Sequence, residues 1–60
     1  MVKVGDTVYP DHNRHLLWVV EDMDDERGYL IGRDMQGGHV TRWIPANLFA
    51  GRDSWWQVRS

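Results

Sequence analysis

Residues 44–49 constrain the fold of this chain more than any other segment. An apolar strand end at Ile44 is followed directly by Pro45, a small residue, an asparagine and two large apolar residues. Because proline has no backbone N–H and fixes its own φ, a strand cannot continue through Pro45. One helical turn after it returns Leu48 and Phe49 to a core. In a chain of 60 residues, this pattern predicts a single 3₁₀ turn before the last strand of a small β-barrel.

The spacing of turn residues predicts five strands. Polar or glycine-containing segments recur every eight to twelve residues, as in all-β sandwiches and barrels. The strands are predicted at residues 7–9, 16–21, 28–33, 39–44 and 55–59. The second is expected to be central, with both faces partly covered. Residues 34–38 are predicted to form a hairpin turn, since Gly37 and Gly38 tolerate positive φ. No segment has the apolar spacing of a long helix.

The chain must obtain its stability from aromatic residues. A domain of this length buries only about 60% of its unfolded surface, and the sequence has no cysteine for a disulfide or a thiolate zinc site. Four tryptophans, two tyrosines and one phenylalanine are present, and each buries about 150–250 Å² when it is enclosed. Folding is therefore the first explanation of the aromatic content. Self-association is the other common remedy for a small core.

Charge and hydropathy exclude several classes of protein. Seven basic and nine acidic residues give a net charge of −2, which disfavours broad binding to a phosphate backbone. No apolar run approaches the roughly 20 residues that span a bilayer, and residues 1–6 lack the apolar stretch of a signal peptide. We expect a soluble, cytoplasmic protein. Its size suits a free-standing accessory protein, for example one from a phage or mobile element.

Two short motifs resemble SH3-like barrels. Val4-Gly5-Asp6-Thr7-Val8-Tyr9 resembles the G-D-x-V opening strand of small bacterial proteins of this class. Ile44-Pro45-Ala46-Asn47-Leu48-Phe49 is similar to the Pro-Ser-Asn-Tyr-Val turn of eukaryotic SH3 domains. It is also similar, in fold only, to the Y-P-x-x-x-L segment of plasmid-borne type II dihydrofolate reductases. The resemblance covers roughly residues 4–50. It implies one all-β domain over residues 1–60, a five-stranded SH3-like barrel with a short 3₁₀ turn before the last strand.

The reductase resemblance does not extend to the chemistry. Those enzymes bind substrate and cofactor through a Val-Gln-Ile-Tyr segment before the proline. The matching residues here are 40–43, where Val40 is retained but Thr41 replaces the ligand-pairing glutamine. No hydroxyl residue lies in a nucleophile elbow, and no glycine-rich phosphate loop follows a strand. We therefore predict no catalytic residue and no enzymatic activity.

Two groups of residues contain possible metal ligands. His12 and His15 lie in a predicted loop and His39 on a strand, whereas zinc needs three or four converging ligands. Residues 22–26 are acidic, but an EF-hand counted from Asp22 would have an arginine at its sixth and twelfth positions instead of glycine and glutamate. Solvated loop residues explain both groups, and no metal or cofactor is predicted.

The tryptophans carry the functional prediction. Adjacent strand residues point to opposite faces, so one of Trp55 and Trp56 is expected to be exposed. If Val40 and Ile44 face inward together with Arg42, Trp43 lies on the other face, and barrel closure would bring it near Tyr9. Exposed tryptophan and tyrosine are common interface anchors. The predicted binding residues are Tyr9, Trp43, Trp55 and Trp56, with Asp24, Asp25 and Glu26 as an acidic rim. They favour a non-enzymatic module that binds a protein partner, with the rim attracting a basic one.

Other interpretations remain open. Arg33 and Arg42 pair across the predicted hairpin and, with Trp43, could form a basic and aromatic face for nucleic acid. The acidic loop opposes this interpretation. Alternatively, Trp43 and one residue of the C-terminal tryptophan pair only cap the barrel, or they form the interface of a homo-oligomer.

Overall fold

The computed structural model describes residues 2–49 and 55–59. This part of the chain is all-β and contains no α-helix. Five strands are joined in one antiparallel sheet of order β4-β3-β2-β1-β5. They are β1 (Thr7–Pro10), β2 (Trp18–Asp24), β3 (Gly28–Met35), β4 (Gly38–Ile44) and β5 (Trp56–Val58), with a 3₁₀ turn at Ala46–Phe49. The predicted all-β class and the 3₁₀ turn before the last strand are confirmed. The predicted break at residues 51–54 lies outside the described residues.

The central hairpins are longer than predicted. β2 pairs with β3 as far as Asp24 and Gly28, and β3 pairs with β4 as far as Met35 and Gly38. The connecting loops therefore shrink to residues 25–27 and 36–37. The predicted strand ends were too early because polar residues were assigned to loops. Residues such as Asp34 extend the hairpin, since their backbones pair across it.

β2 is the central strand, as expected, but its two faces, both expected to be partly covered, differ strongly in burial. Trp18 and Val20 are buried whereas Val19 and Glu21 are exposed, so the strand has one buried face. A register shift between Val20 and Asp22 then inserts an extra residue. This β-bulge leaves the exposed part of β2 acidic.

The core lies on one face of the sheet, here called the inner face. Its fully buried aliphatic residues are Val8, Val20, Ile31 and Ile44. The rings of Trp18 and Trp56 meet edge to face with centroids 6.3 Å apart. Phe49 packs 5.3 Å from Tyr29 and 6.2 Å from Trp56. The 3₁₀ turn thus returns Leu48 and Phe49 to the core, as predicted.

Gly28 is a point of close backbone approach. It has a φ of +96°, and a Cβ at this residue would lie 2.8 Å from the Ala46 nitrogen and 2.9 Å from the Pro45 Cα. It would also overlap the Ile44 carbonyl oxygen. The start of β3 can therefore lie against the end of β4 only because this residue has no side chain.

Arginines border the core at the β3–β4 hairpin. Arg33 lies with its guanidinium carbon 5.6 Å from the centre of the Trp18 ring, and that of Arg42 lies 5.8 Å from the Trp56 ring. Ile44 points inward as expected. Val40 shares this face, as expected, but is 41% exposed. It pairs with Arg33 near the hairpin turn, on the edge strand of the sheet.

Candidate functional site

The two C-terminal tryptophans have opposite surroundings. Trp55 is 63% exposed and Trp56 is 6% exposed, so the predicted alternation is confirmed. Trp56 contacts the Trp18 and Phe49 rings inside the core. It is therefore unavailable as a surface contact, and its inclusion among the binding residues is corrected.

Trp43 lies on the outer face, opposite the core, with Leu30 as its cross-strand partner. It is half-buried, and the Arg27 guanidinium carbon lies 4.2 Å from its ring centre. That arginine also donates through Nη2 to Asp24 Oδ2 at 3.3 Å. Arg27 thus contacts both Trp43 and Asp24, and the acidic β2–β3 loop lies beside this tryptophan.

Asp24 has a structural role in that loop. Its Oδ1 accepts hydrogen bonds from the backbone N–H groups of Glu26 at 2.8 Å and Arg27 at 3.0 Å. These bonds, led by the one from the Arg27 backbone, lower the pKa of the Asp24 carboxyl. Asp25 and Glu26 are exposed at the loop tip, whereas Asp24, the third residue of the predicted acidic rim, is half-buried.

Tyr9 and Trp55 share a different part of the outer face. Tyr9 pairs with Gln57 across β1 and β5, and the Asp11 N–H donates to the Trp55 carbonyl at 2.7 Å. The ring of Trp55 therefore lies on the same side as Tyr9, one diagonal step away. Strands β2 and β3 separate β1 from β4. The expected position of Trp43 near Tyr9 is wrong, because these strands are not neighbours in the sheet.

A depression lies next to Tyr9. Its volume is about 310 Å³, and it is lined by Tyr9, Arg14, His15, Leu17 and Arg59. We call it the Tyr9 pocket. The sequence pattern indicates His15 only as a possible metal ligand, and it gives no signal that Arg14 and Arg59 lie together. Their convergence depends on β1 pairing with both β2 and β5, which no local pattern encodes.

The face predicted for nucleic acid is divided by strand alternation. Ile31 is fully buried and pairs with Arg42, so Arg42 lies on the inner face. Arg33, two residues from Ile31, also lies there. Trp43 lies on the outer face, so the three residues do not form one surface.

A charged cluster on the outer face was not predicted. His39 Nδ1 lies 2.7 Å from Asp34 Oδ1, and His39 Nε2 lies 2.5 Å from Glu21 Oε2. A neutral imidazole has one N–H, so both contacts are satisfied only by the imidazolium form. Hydrogen bonding to Asp34, and next to Glu21, raises the pKa of His39. Gly32 lies beneath this bridge, where a Cβ would be 2.6 Å from His39 Nε2.

We expect the His39 bridge to make stability depend on pH. The folded-state pKa is raised above the unfolded value of about 6.5, so the stabilisation is fully present below that value. It is lost as pH rises through the folded-state pKa. An NMR titration should place the His39 pKa above the ordinary histidine value of about 6.5. Gly32→Ala, which displaces the Glu21 carboxylate, should lower it. A His39 titration unchanged by both Gly32→Ala and Glu21→Gln would contradict the bridge.

Within residues 2–49 and 55–59, no three His, Asp or Glu side chains converge on a metal position. His39 has a carboxylate on each side of its ring, not two ligands on a shared ion. The same residues include no helix that is both long and apolar enough to span a membrane. Comparison with protein-family models, curated proteins and solved structures finds no match to this chain.

Proposed function

We propose that this chain is a non-enzymatic protein-binding module built on an SH3-like barrel. Four observations support the fold part of the proposal. Consecutive strands β1 to β4 form a meander, β5 returns to pair with β1, and the 3₁₀ turn precedes β5. Arg42 on one sheet edge also reaches the Trp56 ring on the other. The lack of cysteine supports a place in the reducing cytoplasm.

The observation that carries the binding function is the exposure of Trp55. The Trp55 side chain is 63% exposed, so it contributes little to the core. This is unexpected for folding alone, because so small a domain has few large apolar groups to bury. Tyr9 lies beside it on the outer face of β1 and β5, and Leu17 is 36% exposed at the same pocket. Aromatic residues at such positions supply much of the binding energy of protein interfaces.

The charge beside this surface suggests an acidic partner. The expectation of a basic partner depended on an acidic rim around all of the aromatic residues. The acidic β2–β3 loop, however, lies beside Trp43. Tyr9 instead has Arg14, His15 and Arg59 around it. Complementary charge accelerates association and selects among partners, so carboxylate-bearing segments fit here best.

Trp55→Ala tests the proposed function, with Trp43→Ala as its matched control. We expect Trp55→Ala to remain folded and to weaken binding to the partner by about tenfold or more, as for an interface anchor. Trp43→Ala should bind normally. The partner is identified by affinity capture and then measured in purified form by calorimetry.

Three results would contradict this proposal. Loss of binding in Trp43→Ala alone would move the interface to the acidic loop. Sedimentation of a dimer that protects Trp55 would favour a homo-oligomer. A retarded nucleic acid, displaced by salt, would favour the nucleic-acid alternative.

A further inference from the structure

We infer that the Tyr9 pocket is an anion-binding site, which takes a single carboxylate or phosphate group. The group is presented by the partner segment that packs on Trp55, so this part of the inference rests on the proposed function. Binding of a small free anion does not depend on that proposal and can be measured without a partner.

Cationic groups from two distant segments converge at the pocket. Arg14 and His15 belong to the β1–β2 loop, and Arg59 follows β5. In the described part of the chain, the ion pairs involve Arg27 and His39 but none of these three residues. Guanidinium groups donate hydrogen bonds in a planar fork that matches carboxylate and phosphate oxygens. Among the described residues that line it, the pocket thus has donors available and no carboxylate that competes for them.

Backbone hydrogen bonds hold both segments in place. Asn13 Oδ1 accepts from the His15 N–H at 3.1 Å, and the Asn13 N–H donates to the Pro10 carbonyl at 3.0 Å. The Arg59 N–H donates to the Thr7 carbonyl at 2.8 Å. The Asx turn and the strand pairing therefore hold the backbone at Arg14 and Arg59 before any ligand arrives, which reduces the backbone entropy lost on binding.

The size and surroundings of the pocket favour one anionic group over a polyanion. A volume of about 310 Å³ is at the lower end for ligand pockets. Tyr9 and Leu17 supply apolar walls, which suit the methylenes of a side chain. The chain has a net charge of −2, and its acidic loop would repel an extended phosphate backbone.

The test is an NMR titration of the intact chain with sodium phosphate, and separately with sodium succinate, at constant sodium concentration. Saturable shifts are expected at the Arg14 and Arg59 side chains and at the backbone amides of residues 13–17. Arg14→Gln and Arg59→Gln should each weaken binding by about tenfold. Arg27→Gln removes another exposed arginine, beside Trp43, and should bind like the unmodified chain.

The outcomes separate this inference from the proposed function. Shifts that do not saturate, or that are equally affected in Arg14→Gln and Arg27→Gln, would overturn the anion site, even if Trp55→Ala still loses the partner. Saturable anion binding with partner affinity unchanged in Arg14→Gln would support the site and overturn its use by the partner, leaving a free anion as the ligand. If a thymidine octanucleotide bound more tightly than phosphate or succinate, and with a strong salt dependence, the inference that the pocket takes a single anionic group would be overturned.

Discussion

Gly28→Ala is expected to remove a large part of the protein's free energy of unfolding. At a φ of +96°, an alanine is strained by about 1–2 kcal/mol. Its Cβ would also meet the backbone of Ile44, Pro45 and Ala46. No rotamer change relieves an overlap with backbone atoms, so β3 and the 3₁₀ turn must separate. A domain of this length has roughly 3–9 kcal/mol of stability, and we expect a loss above about 3 kcal/mol.

Gly5→Ala is the matched control for this prediction. Gly5 has a φ of +99°, and no atom outside its immediate neighbours lies within 4 Å of its hypothetical Cβ. The substitution therefore adds the backbone strain without the overlap. Urea denaturation followed by circular dichroism should show a small loss for Gly5→Ala and a much larger one for Gly28→Ala. Equal losses in the two variants would show that the close approach at Gly28 is not maintained.

Trp56→Ala is the second substitution with a large expected effect. Trp56 is 6% exposed and contacts three elements through Trp18, Phe49 and Arg42. Removing a buried tryptophan costs about 3–5 kcal/mol from lost burial and the cavity that remains. Since β5 has only three residues, we expect it to detach from β1 in the variant. Thermal denaturation of this variant should show little or no cooperative transition above 25 °C.

The neighbouring residue is the control. Trp55→Ala removes the same side chain from a site that is 63% exposed, and surface substitutions of this kind change stability by less than about 1 kcal/mol. Trp56→Phe keeps part of the buried area and should give an intermediate loss. If Trp55→Ala were the more damaging of the two alanine variants, the assignment of the inner and outer faces of β5 would be reversed.

Local chemistry explains which parts of the fold were predictable. Pro45 ends β4 because it cannot donate to the ladder, and Gly37, with a φ of +105°, makes a two-residue hairpin loop possible. Such signals need only neighbouring residues. The loop limits were less accurate, because Asp24 and Asp34 pair in extended hairpins although their polarity is typical of loops.

The candidate sites were much less predictable. Alternation alone required one of Trp55 and Trp56 to be exposed, but only the packing of Trp18 and Phe49 decides which one. The His39 bridge joins residues 18 positions apart, and it forms only because β2 and β4 both pair with β3. The predicted binding residues were separated into two surfaces by strand order, which no short motif specifies.

The amino-acid sequence by itself determined the all-β class, the number of strands and the turn that precedes the last one, because these follow from proline, glycine and alternation between neighbours along the chain. Only the tertiary structure decided which tryptophan is enclosed, why Gly28 must lack a side chain and which cationic residues meet beside Tyr9. Those properties depend on contacts between strands that are distant in sequence, and these contacts exist only when the whole sheet has formed over its core.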